Sequence, residues 1–315
     1  MSVCLGCFMA HGAEPVRFQF RTNDVIAFVG GEDVVEMQRN GYLELLLTAA
    51  LPHHKLRFRN LAFEGDTVFE QHRQLNFPSW EKQLERVGAT VVIAQFGQAE
   101  SLKGTNELPR FIEAYSNLAD LFLKGGRRLI LLSPTPFAVG PENLKVPPPP
   151  SSNGVLERYV EAIREFSKAH SAEFVDLFGP LLKSQIGWRA TLTRDGLHLS
   201  RDGHLLAADT AAIQVGIGKS LRAWERVNFH ASTIEWGLRP EQERLRQLII
   251  EKNRLWFDYW RPQNWAFLNG DRTEQPSSRD HRDPKKRWFP EEMEKFLPMI
   301  EAKEREIWEE AAKLR

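Results

Sequence analysis

Five short apolar runs constrain this chain more than any other feature. They are VIAFVG (25–30), LRFRNLAF (56–63), TVVIAQFG (90–97), RRLILLSPTP (127–136) and AEFVDLFG (172–179). They are rich in Val, Ile, Leu and Phe, as strands buried on both faces are. Such strands belong in a parallel sheet covered by helices. The intervening segments supply those helices. GYLELLLTAAL, SWEKQLERVG, ELPRFIEAYSNLADLFLKGG and NGVLERYVEAIREFSKAH place apolar residues at helical spacing, and several end in glycine. The alternation predicts a doubly wound α/β fold, a three-layer α/β/α arrangement around a five-stranded parallel sheet.

From about residue 222 the character changes. Six of the nine tryptophans lie between Trp236 and Trp308. LRQLIIEKNRLWFDYW has apolar residues at Leu245, Leu248, Ile249, Leu255, Trp256, Tyr259 and Trp260, which is a helical stripe. A polar loop and a last charged helix, PEEMEKFLPMIEAKEREIWEEAAKLR, follow. The expected organisation is an α/β domain over residues 20–221 and a helical extension over 222–315. The extension should pack on the domain, because its stripe must be buried somewhere. Core packing also accounts for the aromatic and arginine cluster at 254–265, with sugar stacking as the sharper alternative. VPPPPSS (146–152) reads as a rigid spacer.

Composition excludes some partners. Lysine plus arginine (42) equals aspartate plus glutamate (42), so no long-range field favours nucleic acid or an anionic membrane. No apolar run approaches membrane-spanning length. The only cysteines, Cys4 and Cys7, form a CxxC pair, a redox or metal half-site in other settings. Here VCLGCFMA is similar to the apolar core of a secretory signal, and AHGA supplies small residues for cleavage. Residues 1–15 are therefore expected to be the remnant of an export signal.

In an open parallel sheet, ligands bind beyond the carboxyl ends of the strands. After the first run come Gly30, Gly31, Glu32 and Asp33; after the second, Glu64, Gly65 and Asp66; after the third, Gly97, Gln98, Ala99 and Glu100. Later, LTRDGLHLSRDGH sets Asp195 three residues before His198, with Ser200 placed to cap a following helix. An acid holding a histidine makes two of the three parts of a nucleophile-activating triad. The plainer reading of Asp195-Gly196 is a turn. For Glu32 the plainer reading is a solvated acid at a helix start, where the dipole favours it. His53, His54, His72 and His204 are expected at the surface.

These blocks resemble, in order, those of the SGNH or GDSL hydrolases. FVGGED stands where that family has its strand followed by Gly-Asp-Ser. RNLAFEGDTV resembles the second block, so Gly65 would lend a backbone N–H to an oxyanion hole. FGQAE replaces Gly-x-Asn-Asp, and DGLH matches the final Asp-x-x-His in full. The resemblance spans roughly residues 24–215 and implies a flavodoxin-like sheet and ester hydrolysis. A closer likeness, over nearly the whole chain, is to an exported branch from planctomycete-type bacteria with FVGG…GYLE, FRNL…GDTVF and KNRLWF…WRPQN.

The departures define the functional question. Glu32 occupies the nucleophile position, and no serine lies between Ser2 and Ser79. Thr67, the nearest hydroxyl of the second block, is expected inside the next helix. Ala99 replaces the asparagine that would complete the oxyanion hole. His198 and Asp195 remain as catalytic candidates, with Gly31, Glu64, Gly97, Gln98, Ala99 and Glu100 as pocket residues. Three readings stay open. One is an esterase acting on an acylated carbohydrate or other small ester, with water as nucleophile and no cofactor. The second is a catalytically inactive module binding a glycan or partner. The third is carboxylate or divalent-cation chemistry at Glu32, Glu64, Glu100 and His198.

Overall fold

A computed structural model describes residues 18–139, 150–187, 192–217, 225–230 and 233–314. The expected export signal, both cysteines and most of the proline-rich spacer lie outside the described residues.

The five apolar runs form strands β1 (Val25–Gly30), β2 (Arg57–Asn60), β3 (Val91–Gln95), β4 (Arg128–Leu132) and β5 (Glu173–Val175). All are parallel, in the order β2-β1-β3-β4-β5. Residues alternate between two cores. Ile26, Phe28, Val91, Ile93, Ile130 and Leu132 face α1 (Glu32–Asn40), α2 (Tyr42–Ala50), α7 (Phe178–Gly187) and α8 (Arg201–Gln214). Ala27, Val29, Val92, Ala94, Leu129 and Leu131 face α3 (Trp80–Arg86), α5 (Leu108–Leu123) and α6 (Asn153–Ala169). Both faces are covered, which is why β1 is apolar without alternation. Each fully buried Ile, Leu or Val contributes about 1.5–3 kcal/mol.

The chain reverses its strand order between β1 and β3. The turns that follow these two strands therefore open side by side at the carboxyl edge. Gly30 makes the first turn possible: a Cβ there would stand 2.6 Å from both the Gln95 carbonyl oxygen and Val34 Cγ2. Helix α1 can then start directly at Glu32, with no side chain capping it. The short helix α4 (Gln98–Ser101) starts behind Gly97, whose φ is 116° and whose N–H is taken by the Glu100 carboxylate.

The C-terminal segment departs from the all-helical expectation. It opens with an antiparallel hairpin of β6 (Glu225–His230) and β7 (Thr233–Gly237). Helix α9 (Pro240–Trp260) follows, then α10 (Trp265–Leu268), α11 (Trp288–Glu294) and α12 (Phe296–Ala311). Trp256, Tyr259 and Trp260 complete the second core, so packing accounts for these aromatics. Helices α9 and α12 lie along the outer edge of β2, whose alternate carbonyls point away from the sheet. Trp308 Nε1 donates to the Leu56 carbonyl (3.1 Å), Lys252 Nζ to Phe58 (3.5 Å) and Trp256 Nε1 to Asn60 (2.8 Å). Lys252 is fully buried and pairs with Glu44 of α2 at 2.7 Å.

His204 corrects the expectation that the lone histidines are exposed. It lies in the first turn of α8, is 4% exposed, and burial pushes its pKa down to about 4, with Arg194 adding repulsion. The unfolded chain takes up a proton near pH 6.5, whereas the folded one does so only near pH 4. Between those values the unfolded state binds more protons, so stability falls as the pH drops. Urea melts should show His204→Leu losing about 2–3 kcal/mol less than the wild type between pH 7 and 4.5. Equal losses in both proteins would show that His204 does not drive the acid sensitivity.

Candidate functional site

A cavity of about 240 Å³ opens beyond the carboxyl ends of β1, β3 and β4. Its walls include Gly31, Glu32 and Asp33 from the first turn and Gly65 and Asp66 from the second. Gly97, Gln98, Ala99 and Glu100 line it from the third, joined by Thr135, Leu197 and His198. Three loops far apart in sequence thus meet at the strand-order reversal.

The histidine is carried on a tight turn. An isolated bridge joins Thr193 to Leu199, and the Arg194 N–H donates to the His198 carbonyl at 3.0 Å. Ser200 then caps α8, its hydroxyl accepting from the Gly203 N–H. Inside the turn, Asp195 Oδ1 accepts from the backbone N–H groups of Leu197 (3.0 Å) and His198 (2.7 Å). Asp195 Oδ2 meets His198 Nδ1 at 2.6 Å. Partial burial alone would raise the Asp195 pKa. The hydrogen bonds from the His198 ring and the two backbone groups outweigh it and hold the carboxyl below its ordinary range. The aspartate is therefore an ionised anchor for Nδ1–H. No protein group engages His198 Nε2 among the described residues, and the His198 side chain lines the cavity.

The acids go separate ways. Glu32 Oε1 accepts from Arg194 Nη2 at 3.3 Å, and no hydrogen bond or ion pair joins it to His198 among the described residues. Glu64 turns away from the cavity to Arg261 of the C-terminal segment at 2.7 Å, with Arg39 at 3.8 Å. Burial would raise the Glu64 pKa, but Arg261 brings it below the ordinary value. Glu100 is buried, and its carboxylate joins two loops. Oε1 accepts from the Val68 N–H (2.8 Å) and Oε2 from the Gly97 N–H (2.9 Å). Burial pushes Glu100 above the ordinary carboxylate range. Of the three acids expected about His198, Glu32 and Glu100 line the cavity with it and Glu64 does not, and no hydrogen bond or ion pair joins any of them to His198 among the described residues. Among the described residues no three His, Cys, Asp or Glu side chains group as a metal site.

The second-block turn is held on both sides of Gly65, whose φ of 80° suits glycine. Arg261 holds Glu64, and Arg73 grips Asp66 with two bonds of 2.7 Å. Thr67 lies in the loop before α3, not in a helix, and its hydroxyl accepts from the Phe69 and Glu70 N–H groups. At Ala99 only a methyl group reaches the cavity wall.

Asp33 and Thr135 line the cavity but were not among the site residues expected from the sequence. Asp33 is buried, with Oδ2 accepting from the Thr135 hydroxyl (2.8 Å) and Oδ1 from the Leu199 N–H (3.3 Å). Burial pushes its carboxyl above the usual range. Among the described residues lining the cavity, Thr135 carries the one hydroxyl. Asp33 could have been suspected from its place in the first turn of α1. Nothing in the sequence marks Thr135.

A profile of the GDSL-like lipase/acylhydrolase family matches residues 29–206. The chain belongs to that family. No curated protein matches it. Solved structures of GDSL-like and related hydrolases share its fold at low identity. A gut microbial diltiazem-metabolizing enzyme is 13% identical with a TM-score of 0.61, covering 94% of this chain and 95% of that one. An alpha/beta hydrolase from the metagenome of Lake Arreo, Spain, is 16% identical with a TM-score of 0.52, covering 64% and 99%. A catalytic mutant of an acetylxylan esterase from Geobacillus stearothermophilus is 17% identical with a TM-score of 0.50, covering 62% and 96%. Among the described residues of this GDSL-like chain, no helix is long and apolar enough to cross a membrane.

Proposed function

We propose that this GDSL-like protein hydrolyses the ester of a small acylated ligand, with water as the direct nucleophile. The observation that carries this reading is the Asp195–His198 pair at 2.6 Å on the cavity wall. Nε2 of His198 takes a proton from water as its oxygen attacks the acyl carbon, and Asp195 steadies the imidazolium. The Gly65 N–H is the donor for the oxyanion. The ester C–O bond then breaks, and His198 returns the proton to the departing alcohol. Thr135 does not serve as nucleophile in this scheme, because its hydroxyl proton goes to Asp33 and it accepts from Gln98. The acetylxylan esterase that shares the fold makes an acetylated carbohydrate the first substrate class to test.

A second reading, binding without turnover, is favoured by one observation. Glu32, which stands at the nucleophile position, pairs with Arg194 at 3.3 Å, and no hydrogen bond or ion pair joins it to His198 among the described residues. Turnover of p-nitrophenyl acetate and an acetylated xylo-oligosaccharide separates the two. Hydrolysis supports the enzyme. A ligand-induced rise in melting temperature with no hydrolysis supports the binding module.

Position 32 has its own test. A serine-directed fluorophosphonate should leave the wild type unlabelled, since no serine lines the cavity. Glu32→Ser places a hydroxyl on the wall shared with His198 and should become labelled, with a burst of product release. An unlabelled Glu32→Ser that folds normally would show that His198 cannot serve this position.

A further inference from the structure

His198 sits in a turn, so the aim of its ring depends on whatever fixes the two peptide groups beside it. The Asp195 carboxylate fixes the turn internally, as described above. The external restraints come from two other loops. On one side, the Leu197 carbonyl accepts from Gln98 Nε2 at 3.3 Å. On the other, the Leu199 N–H donates to Asp33 Oδ1 at 3.3 Å.

These two side chains are themselves joined. Gln98 Nε2 also donates to the Thr135 carbonyl (2.9 Å) and to Thr135 Oγ1 (3.0 Å). Thr135 Oγ1 in turn donates to Asp33 Oδ2 at 2.8 Å. The three acceptors around Nε2 fix which end of the amide faces this cluster. The hydrogen bonds therefore close into a ring running Asp33, Thr135, Gln98, Leu197, His198, Leu199 and back to Asp33. It links the starts of α1 and α4 with the segment after β4, and His198 is the member whose ring faces the cavity. Thr135 is 1% exposed and is the single side chain that joins both halves.

We propose that Thr135, through Gln98 and Asp33, is the positioning residue that sets the orientation of His198. The inference rests on His198 acting as the base in the proposed hydrolysis, but its geometric content can be measured without turnover. At its buried members, Asp33, Thr135 and Leu199, the ring admits one arrangement, because any other leaves a desolvated donor or acceptor unpaired. Removing the Thr135 hydroxyl breaks both of its side-chain bonds at once. Gln98 and Asp33 then hold the turn separately, and the imidazole gains freedom.

The test compares Thr135→Val, which keeps the shape, with Thr135→Ser, which keeps the hydroxyl, in the full chain. The first readout is the nitrogen-15 and proton NMR signal of the His198 ring, assigned by its loss in a His198 substitution. Thr135→Val should shift or broaden the Nδ1–H resonance, and Thr135→Ser should restore it. The second readout is hydrolysis. Thr135→Val should lower kcat about tenfold with KM nearly unchanged, because a small misplacement of a catalytic group affects the chemical step. Wild-type NMR signals in Thr135→Val, or equal effects from Val and Ser, would overturn the proposal. If Thr135→Val does not fold, Gln98→Met opens the same ring from the other side and is judged by the same readouts. If the wild type hydrolyses nothing, the hydrolytic reading falls, and the NMR comparison alone decides the role of Thr135.

Discussion

Replacing His198 with alanine is expected to lower ester turnover by about 10²–10⁴-fold, the usual range for removing a general base. The loss should be chemical, with little structural component. The His198 side chain is 28% exposed and its Nε2 has no protein partner among the described residues, so its removal opens no core. Asp195 keeps its bonds from the Leu197 and His198 backbone N–H groups, which belong to the turn and survive the substitution. The carboxylate is not stranded, and the Thr193–Leu199 bridge closes as before. Initial rates on p-nitrophenyl acetate, with thermal melts of both proteins, check this. An unchanged rate would mean that the hydrolysis does not use the dyad. A collapse in melting temperature would mean that His198 is structural.

Replacing Lys252 with methionine is expected to cost about 3–5 kcal/mol of stability at neutral pH, because it leaves a buried carboxylate without its cation. Lys252 and Glu44 have side-chain exposures of 1% and 7% at a separation of 2.7 Å. Burial pushes Lys252 down and Glu44 up, while each favours the charge of the other. Breaking the pair removes that mutual support but leaves Glu44 desolvated. Pairing Lys252→Met with Glu44→Leu should recover most of the loss, since a buried ion pair exchanged for apolar groups of similar size is often neutral. Urea denaturation of the two variants distinguishes the outcomes. A single substitution costing less than about 1 kcal/mol would place Glu44 in reach of water.

The sheet was legible because its strands are covered on both faces, leaving Val25–Gly30 uniformly apolar and Val91–Gln95 apolar up to its last residue. The dyad was legible because both of its residues, Asp195 and His198, lie in one short turn. The fates of the acids were not. Glu32, Glu64 and Glu100 follow their strands at similar distances, yet one meets Arg194, one Arg261 and one the backbone of two loops. Those partners come from distant parts of the chain, and spacing does not say which way a side chain turns. The ring through Asp33, Thr135 and Gln98 was hidden for the same reason: its three members lie on three different strand ends. The hairpin at Glu225–Gly237 lay in a segment read as helical from its tryptophans and from the strong pattern downstream.

The side-chain caps along β2 have a consequence for how the molecule behaves in company. A terminal strand with free carbonyls is a template on which another chain can pair, and many proteins spend charge or proline to discourage it. Here Trp308, Lys252 and Trp256 occupy those carbonyls from within the same chain. The C-terminal helices thus take up the edge groups on which another strand would pair. The α/β region cut free of them would expose its sticky edge together with an orphaned Glu44. What looks like an accessory to a hydrolase domain is, for this sheet, the cover of its outer edge.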